Sequence, residues 1–195
     1  MPVRIISPVS PRTRNGDSTR TLSPRPGTLS GHVLGIVWNR LGRSDVFFRA
    51  LGERLTESEG LVGVVWVAKP SQSVPPAAED WRRLRVATVA IAGFGGCGSC
   101  SARSMRDVLE LDWTGIPGTF VGHRALMASA RAVAELSGHP DYPMVLTDYP
   151  YAVTASWTDE EAHHLAADLA PRVAAALVSA GVPPSEVSPS ARIAR

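Results

Sequence analysis

Five short apolar runs alternate with stretches whose apolar residues fall at helical spacing, and no other feature constrains the fold as tightly. The runs cover residues 32–38 (HVLGIVW), 61–68 (LVGVVWVA), 86–92, a stretch opening at Gly115-Ile116-Pro117 and running through Val121, and 144–147. Such short, nearly continuous apolar runs suit strands covered on both faces. Between them, residues 45–56 put Val46, Phe47, Ala50, Leu51 and Leu55 on one helical face. A short helix is expected at 78–84, and longer ones at 101–113 and 125–136, the latter closed by Gly138. The last helix opens at Thr158, with Glu161 completing a capping box, and runs to about residue 180 before Pro183-Pro184. Strands alternating with helices predict an α/β fold: one doubly wound, five-stranded parallel sheet in three layers, with the flavodoxin-like order 2-1-3-4-5. Right-handed crossovers then gather Trp38, Asn39, Lys69, residues 97–101, His123 and residues 148–151 on one rim.

A chain of 195 residues fits one domain. Residues 1–31 are rich in Ser, Thr, Pro and Arg without an apolar period, so a disordered N-terminal tail is expected there. The domain spans 32–182, and 183–195 is expected to be a flexible tail. A net charge of +2 gives no basic face for nucleic acid. No apolar run approaches the roughly 20 residues of a membrane span, and no apolar h-region marks a secretory signal. The expectation is a cytoplasmic protein that binds neither nucleic acid nor membrane. Two cysteines do not make a disulfide scaffold, which points to a reducing compartment and a chemical role for them.

Both cysteines fall within residues 93–101 (GFGGCGSCS), between the third strand and its helix. There a helix N-terminus offers free N–H groups and partial positive charge, which favour thiolate over thiol, and the thiolate is the nucleophile. A C-x-x-C pair supplies a second thiol to resolve a mixed disulfide. Glycines on both sides of Cys97 leave room for a substrate, unlike two cysteines that merely pack. Zinc is disfavoured because a structural site wants four ligands and no second pair is present. His163 and His164 are adjacent in a helix and face different ways. The glycine run lacks the Gly-Lys-Ser/Thr ending of a phosphate loop, so no nucleotide is expected. Lys69, the only lysine, follows the second strand and suits an anion anchor or thiolate stabiliser, as does Asn39 after the first. His123, at the end of the fourth strand, suits a general acid or base.

With these residues in view, the chain resembles the UGSC family, named for a selenocysteine- or cysteine-Gly-Ser-Cys motif. Cys97-Gly98-Ser99-Cys100-Ser101 matches it with Cys97 at the selenocysteine position. Asp107, Glu110-Leu111 and Gly115-Ile116-Pro117 match a D-x-x-E-L followed by G-I-P. Asn39, Lys69-Pro70 and Gly138-His139-Pro140 fit the family's other loops. The core also resembles the catalytic end of the selenoprotein B component of glycine reductase, where a selenocysteine takes part in reductive cleavage of a carbon–heteroatom bond. Two departures stand out: Asp148-Tyr149-Pro150 replaces the family's P-H-P, and His123 stands where a threonine is usual.

The resemblance implies that Cys97 is the nucleophile and Cys100 the resolving thiol in reductive cleavage or redox conversion of a small organic substrate. No bound cofactor or metal is expected; an external dithiol would reset the pair, and a thiol reductant protein is its expected carrier. Gly98, Ser99 and Ser101 would contact the substrate, Asn39 and Lys69 would hold an anionic or carbonyl group, and His123 or Tyr149 would move a proton. The alternatives are a redox-neutral lyase or isomerase related to the Asp/Glu racemase superfamily, and a non-catalytic redox sensor or accessory subunit. A homodimer is left open.

Overall fold

The structure, a computed structural model, describes residues 20–148 and 157–178. In chain order the elements are β1 (Val33–Trp38), α1 (Ser44–Glu59), β2 (Gly63–Ala68), α2 (Ala78–Arg83) and β3 (Val89–Gly95). They continue as α3 (Gly98–Asp112), β4 (Gly118–His123), α4 (Met127–Leu136), β5 (Met144–Thr147) and α5 (Asp159–Val178). The strands form one all-parallel sheet in the order β2-β1-β3-β4-β5, as the alternation predicts. Side chains alternate across it. Leu34, Ile36, Val89, Ile91, Val121 and Val145 join the core shared with α1 and α5. Val37, Val67, Ala90, Ala92, Phe120 and Leu146 face the core beneath α3 and α4. Burial on both faces is why the strands read as unbroken apolar runs. The expected box opens α5: Thr158 N donates to Glu161 Oε2 (2.7 Å), and Glu161 N to Thr158 Oγ1 (3.1 Å).

Two boundaries differ from expectation in ways that matter for function. First, β3 is displaced towards its C-terminus: it ends at Gly95 rather than Ala92, and α3 opens at Gly98 rather than Ser101. Gly93 and Gly95 therefore belong to a buried strand. A Cβ on Gly93 would lie 2.4 Å from the Val121 carbonyl oxygen, a contact far inside van der Waals distance. The register against β4 shifts between Ala92 and Gly95, and Phe94 joins the α1–α5 core although strict alternation would send it to the other face.

Second, the segment from Arg20 to Gly31 packs on the domain instead of trailing from it. Leu29 is part of the α1–α5 core. Ser23 N donates to Asp112 Oδ1 (2.6 Å), Arg25 Nη2 donates to the Gly118 carbonyl (2.9 Å), and Arg25 lies 3.5 Å from Asp112 Oδ2 with its side chain only 5% exposed. Tyr142 completes this buried cluster by donating to Asp112 Oδ2 at 3.0 Å. Isolated anchors of this kind carry no period, so a reading based on periodicity misses them. The expected tail at 183–195 lies outside the described residues.

At the same lower edge, Trp113 Nε1 donates to His139 Nε2 at 3.0 Å, in the turn that follows Gly138 (φ 83). That bond needs an unprotonated Nε2, and burial holds His139 below the usual histidine range, with the Asp112 charge opposing. The unfolded chain therefore takes up a proton at a pH where the folded one does not. Stability is expected to fall as pH drops below about 6.5. His139→Gln should flatten that slope between about pH 7 and 5 in urea titrations. Gly93→Ala should cost about 1–3 kcal/mol or more because a backbone oxygen blocks the new methyl group. Gly98→Ala, whose Cβ would meet only Ser129 Oγ at 3.4 Å, should cost nothing measurable in the same assay.

Candidate functional site

Cys97 is the N-cap residue of α3, with extended backbone, and its sulfur accepts the Cys100 N–H at 3.2 Å. A sulfur thus occupies the place usually taken by a Ser or Asp oxygen, against the unpaired donors and partial positive charge of a helix start. The Cys97 and Cys100 sulfurs are joined as a disulfide, with Cα atoms 5.3 Å apart. Cys97 is half-buried and Cys100 is buried, so Cys97 is the sulfur that solvent reaches.

The rest of the expected constellation divides between rim and interior. Gly98 and Ser99 are exposed; Ser99 Oγ lies 3.8 Å from Cys97 Sγ and 3.0 Å from Ser73 Oγ. Ser101 is buried, and its hydroxyl donates to the Cys97 carbonyl (2.7 Å), so it ties down the first turn of α3. His123 is half-buried at the end of β4, one residue past the Gly95–Gly122 pairing, and therefore on the strand end beside the cysteine turn. Its Nδ1 accepts from Ala125 N at 3.1 Å, which assigns the proton to Nε2. Tyr149 lies outside the described residues.

Asn39 and Lys69 are not exposed at the rim. Both are fully buried beneath it, with their polar atoms already engaged. Asn39 sits where β1 has ended but β3 continues. Its Oδ1 accepts from Phe94 N (3.0 Å) and Leu41 N (3.2 Å), while Nδ2 donates to the Phe94 carbonyl (2.9 Å) and to Ser104 Oγ (3.2 Å). The amide thus replaces a strand neighbour for Phe94 and links it to α3, using its full bonding capacity. Phe94 is also held edge-on between Phe47 and Trp157, at centroid distances of 5.7 and 5.1 Å.

Lys69 Nζ contacts Asp107 Oδ2 at 2.6 Å and donates to the Gln72 carbonyl at 3.3 Å. Arg103 donates to the other oxygen, Asp107 Oδ1, at 2.8 Å. Burial pushes the Asp107 carboxyl up and the Lys69 ammonium down, and their mutual attraction opposes both shifts. Asp107 and Glu110 are the pair matched by the D-x-x-E-L pattern, and their physical roles emerge only in the structure. Asp107 neutralises a buried lysine, while Glu110 bridges Arg103 (3.0 Å) and Arg106 (2.8 Å) on the outer face of the helix. The spacing Arg103, Arg106, Asp107, Glu110 is the signal that could have revealed this network, because residues three and four apart are helix neighbours. Ser104, the α3 end of the Asn39 link, had no comparable signal.

The sequence profile of the UGSC family matches residues 4–179. The chain belongs to the UGSC family. No curated protein and no solved structure matches it. The matched span includes the segment from Arg20 to Gly31, in keeping with its packing on the domain. The family's four-residue motif thus forms the cap and first turn of α3. Among the described residues, no three His, Cys, Asp or Glu side chains come together to hold a metal ion, and no helix is long and apolar enough to cross a membrane.

Removing one member of the buried pair leaves an uncompensated charge. Lys69→Met is expected to destabilise the protein by about 3–5 kcal/mol, and adding Asp107→Leu should recover most of that loss. Urea midpoints for the two variants check this; a cost under about 1 kcal/mol for the single variant would contradict a buried ionic role.

Proposed function

We propose that this protein is a thiol-dependent enzyme in which Cys97 attacks a small organic substrate and Cys100 resolves the adduct as an intramolecular disulfide. The observation that carries this reading is the seat of the Cys97 sulfur at the helix cap, within bonding contact of Cys100. Helix N-termini lower the pKa of a thiol placed there, which raises its thiolate fraction near neutral pH. The paired sulfurs favour a redox cycle over redox-neutral lyase or isomerase chemistry, which needs no second thiol.

In the reductive form, the Cys97 thiolate bonds to the heteroatom X of a substrate R–X. R departs with the bonding electron pair and takes a proton to give R–H. Cys100 then attacks Cys97 and expels X, which leaves as HX with the second thiol proton. The sum is R–X plus two thiols giving R–H, HX and one disulfide. A dithiol reductant reopens that disulfide by exchange and becomes a disulfide itself. This is the class of step implied by the likeness to selenoprotein B.

Several expected roles shift within this reading. Asn39, Lys69 and Ser101 act as positioning residues for the turn, because each is buried and bonded there. Ser99 and the backbone at Gly98 face the substrate. His123 relays the proton released by the first thiol to the departing group, and Tyr149 remains the alternative donor.

Alkylation of the reduced protein, followed by mass spectrometry across pH, tests the proposal. The rate at Cys97 should reach half its plateau at a lower pH than that of a free cysteine thiol, which titrates near about 8.5. Mild oxidation should then regenerate the Cys97–Cys100 disulfide. A midpoint at or above the free-cysteine value, or no disulfide, overturns the reading.

A further inference from the structure

A cleft of about 570 Å³ runs between α3 and α4 and opens beside the cysteine turn. Ser73 and Ser99 form its upper end, Arg103 and Arg106 one wall, and Val133 and Leu136 the other. We infer that this cleft binds the organic substrate as an anion, with a carboxylate or sulfonate at Arg103 and Arg106 and an apolar or aromatic body against Val133 and Leu136. The inference rests on the thiol reading above and adds to it a substrate class and two binding residues.

Charge accounting supports the anion. Lys69, Arg103 and Arg106 form one contiguous network with Asp107 and Glu110, so three cations face two carboxylates and one positive charge is left over. That excess does not reside on Lys69, which is sealed against Asp107. It resides on the arginine side, where solvent enters. Arg106, 39% exposed, gives only Nε to Glu110, and its guanidinium is steadied over the Trp113 ring at 4.8 Å. Its Nη groups have no hydrogen-bond partner among the described residues, and neither does Arg103 Nη1. A guanidinium already oriented by a carboxylate and an aromatic ring loses little entropy on gripping an incoming anion.

The opposite wall supports the apolar body. Leu136 is 76% exposed, a large aliphatic side chain with no cover from the domain. The cleft also has a direction. Ser99 is beside Cys97 Sγ, and Arg103 and Arg106 follow it one and two helical turns along α3. At 1.5 Å per residue, Arg103 and Arg106 lie about 9–14 Å along the helix from Cys97, so the guanidiniums anchor an anion roughly that far from the reacting sulfur. The ligand that fits is one whose electrophilic atom and anionic group are separated by roughly that span.

The test uses two disulfide reagents on the reduced full-length protein. One is 5,5′-dithiobis(2-nitrobenzoate), with a carboxylate on each ring, and the other is the uncharged 4,4′-dithiodipyridine. With either, Cys97 forms a mixed disulfide and expels one aryl thiolate. Cys100 then expels the second and closes the Cys97–Cys100 bond, so the two protein thiols lose their protons and the reagent gains two electrons. The readout is the ratio of rate constants, anionic over neutral reagent, by stopped-flow absorbance. Arg106→Gln should lower that ratio about fivefold to tenfold at low ionic strength, and about 0.5 M salt should compress the wild-type ratio towards it. Arg54→Gln removes the same charge from an exposed position on α1 and should leave the ratio unchanged. Reaction with both reagents but an unchanged ratio in Arg106→Gln, or an equal fall in Arg54→Gln, overturns the cleft assignment alone. Reaction with neither reagent overturns the thiol reading and this inference with it.

Discussion

The hydrogen bonds between the Asn39 side chain and both backbone groups of Phe94 are the contact on which the rim depends. A parallel strand in the middle of a sheet needs partners on both sides, and β1 stops one residue before β3 requires it to. Without the amide, the buried Phe94 N–H would lack a partner at a cost of about 1–3 kcal/mol, and the Phe94 carbonyl would keep only the Gly96 N–H. With it, β3 can run on to Gly95 and deliver the chain to Cys97 in extended form, the conformation an N-cap residue requires. The same amide reaches Ser104, so the strand that leads into the turn and the helix that leaves it are held by one side chain.

α3 then distributes its residues by helical spacing. Cys100, Ser101, Ser104, Asp107, Val108 and Leu111 fall on the buried side, and Ser99, Arg103, Arg106 and Glu110 on the outer side. The inner row contains an ion pair that a purely apolar helix would not need. Burying Lys69 against Asp107 gains little net stability over well-packed hydrophobic residues. What the pair does achieve is definite geometry: Lys69 also bonds the Gln72 carbonyl, which holds the start of the loop bearing Ser73 close to Ser99. The ammonium thereby shapes the cleft without facing it.

The fold was legible because a sheet covered on both faces writes itself as apolar runs, and because caps such as Thr158–Glu161 and Gly138 are local. The misread elements share a different cause. Gly93 and Gly95 look like loop residues, yet β3 needs positions without side chains where Val121 and Phe120 press against it. A lone lysine after a strand looks like a surface charge, because its partner lies 38 residues away on another element. The segment around Arg25 and Leu29 is held by single contacts to Asp112, Gly118 and the α1–α5 core, and such contacts leave no pattern along the chain. The pairing of the cysteines was legible because two of them three residues apart at a helix start can close on each other, as they do; what surrounds them was not, because that depends on which side of α3 each residue takes.

That last point bears on selectivity. The sulfur at the cap and the guanidiniums on the outer face ride on one helix, anchored on its inner face by Asn39, Ser101 and Lys69. Their separation is therefore set by helix rise rather than by a mobile loop, and it does not relax when a ligand of the wrong length enters. A thiol on a flexible turn would react with any electrophile that reached it. On the proposed reading, a ligand places charge and electrophilic atom at the two ends of a fixed span, and a molecule too short to reach both forfeits one of the two contacts. In that proposal the buried polar residues beneath the rim act on selectivity indirectly, by denying α3 the freedom to adjust.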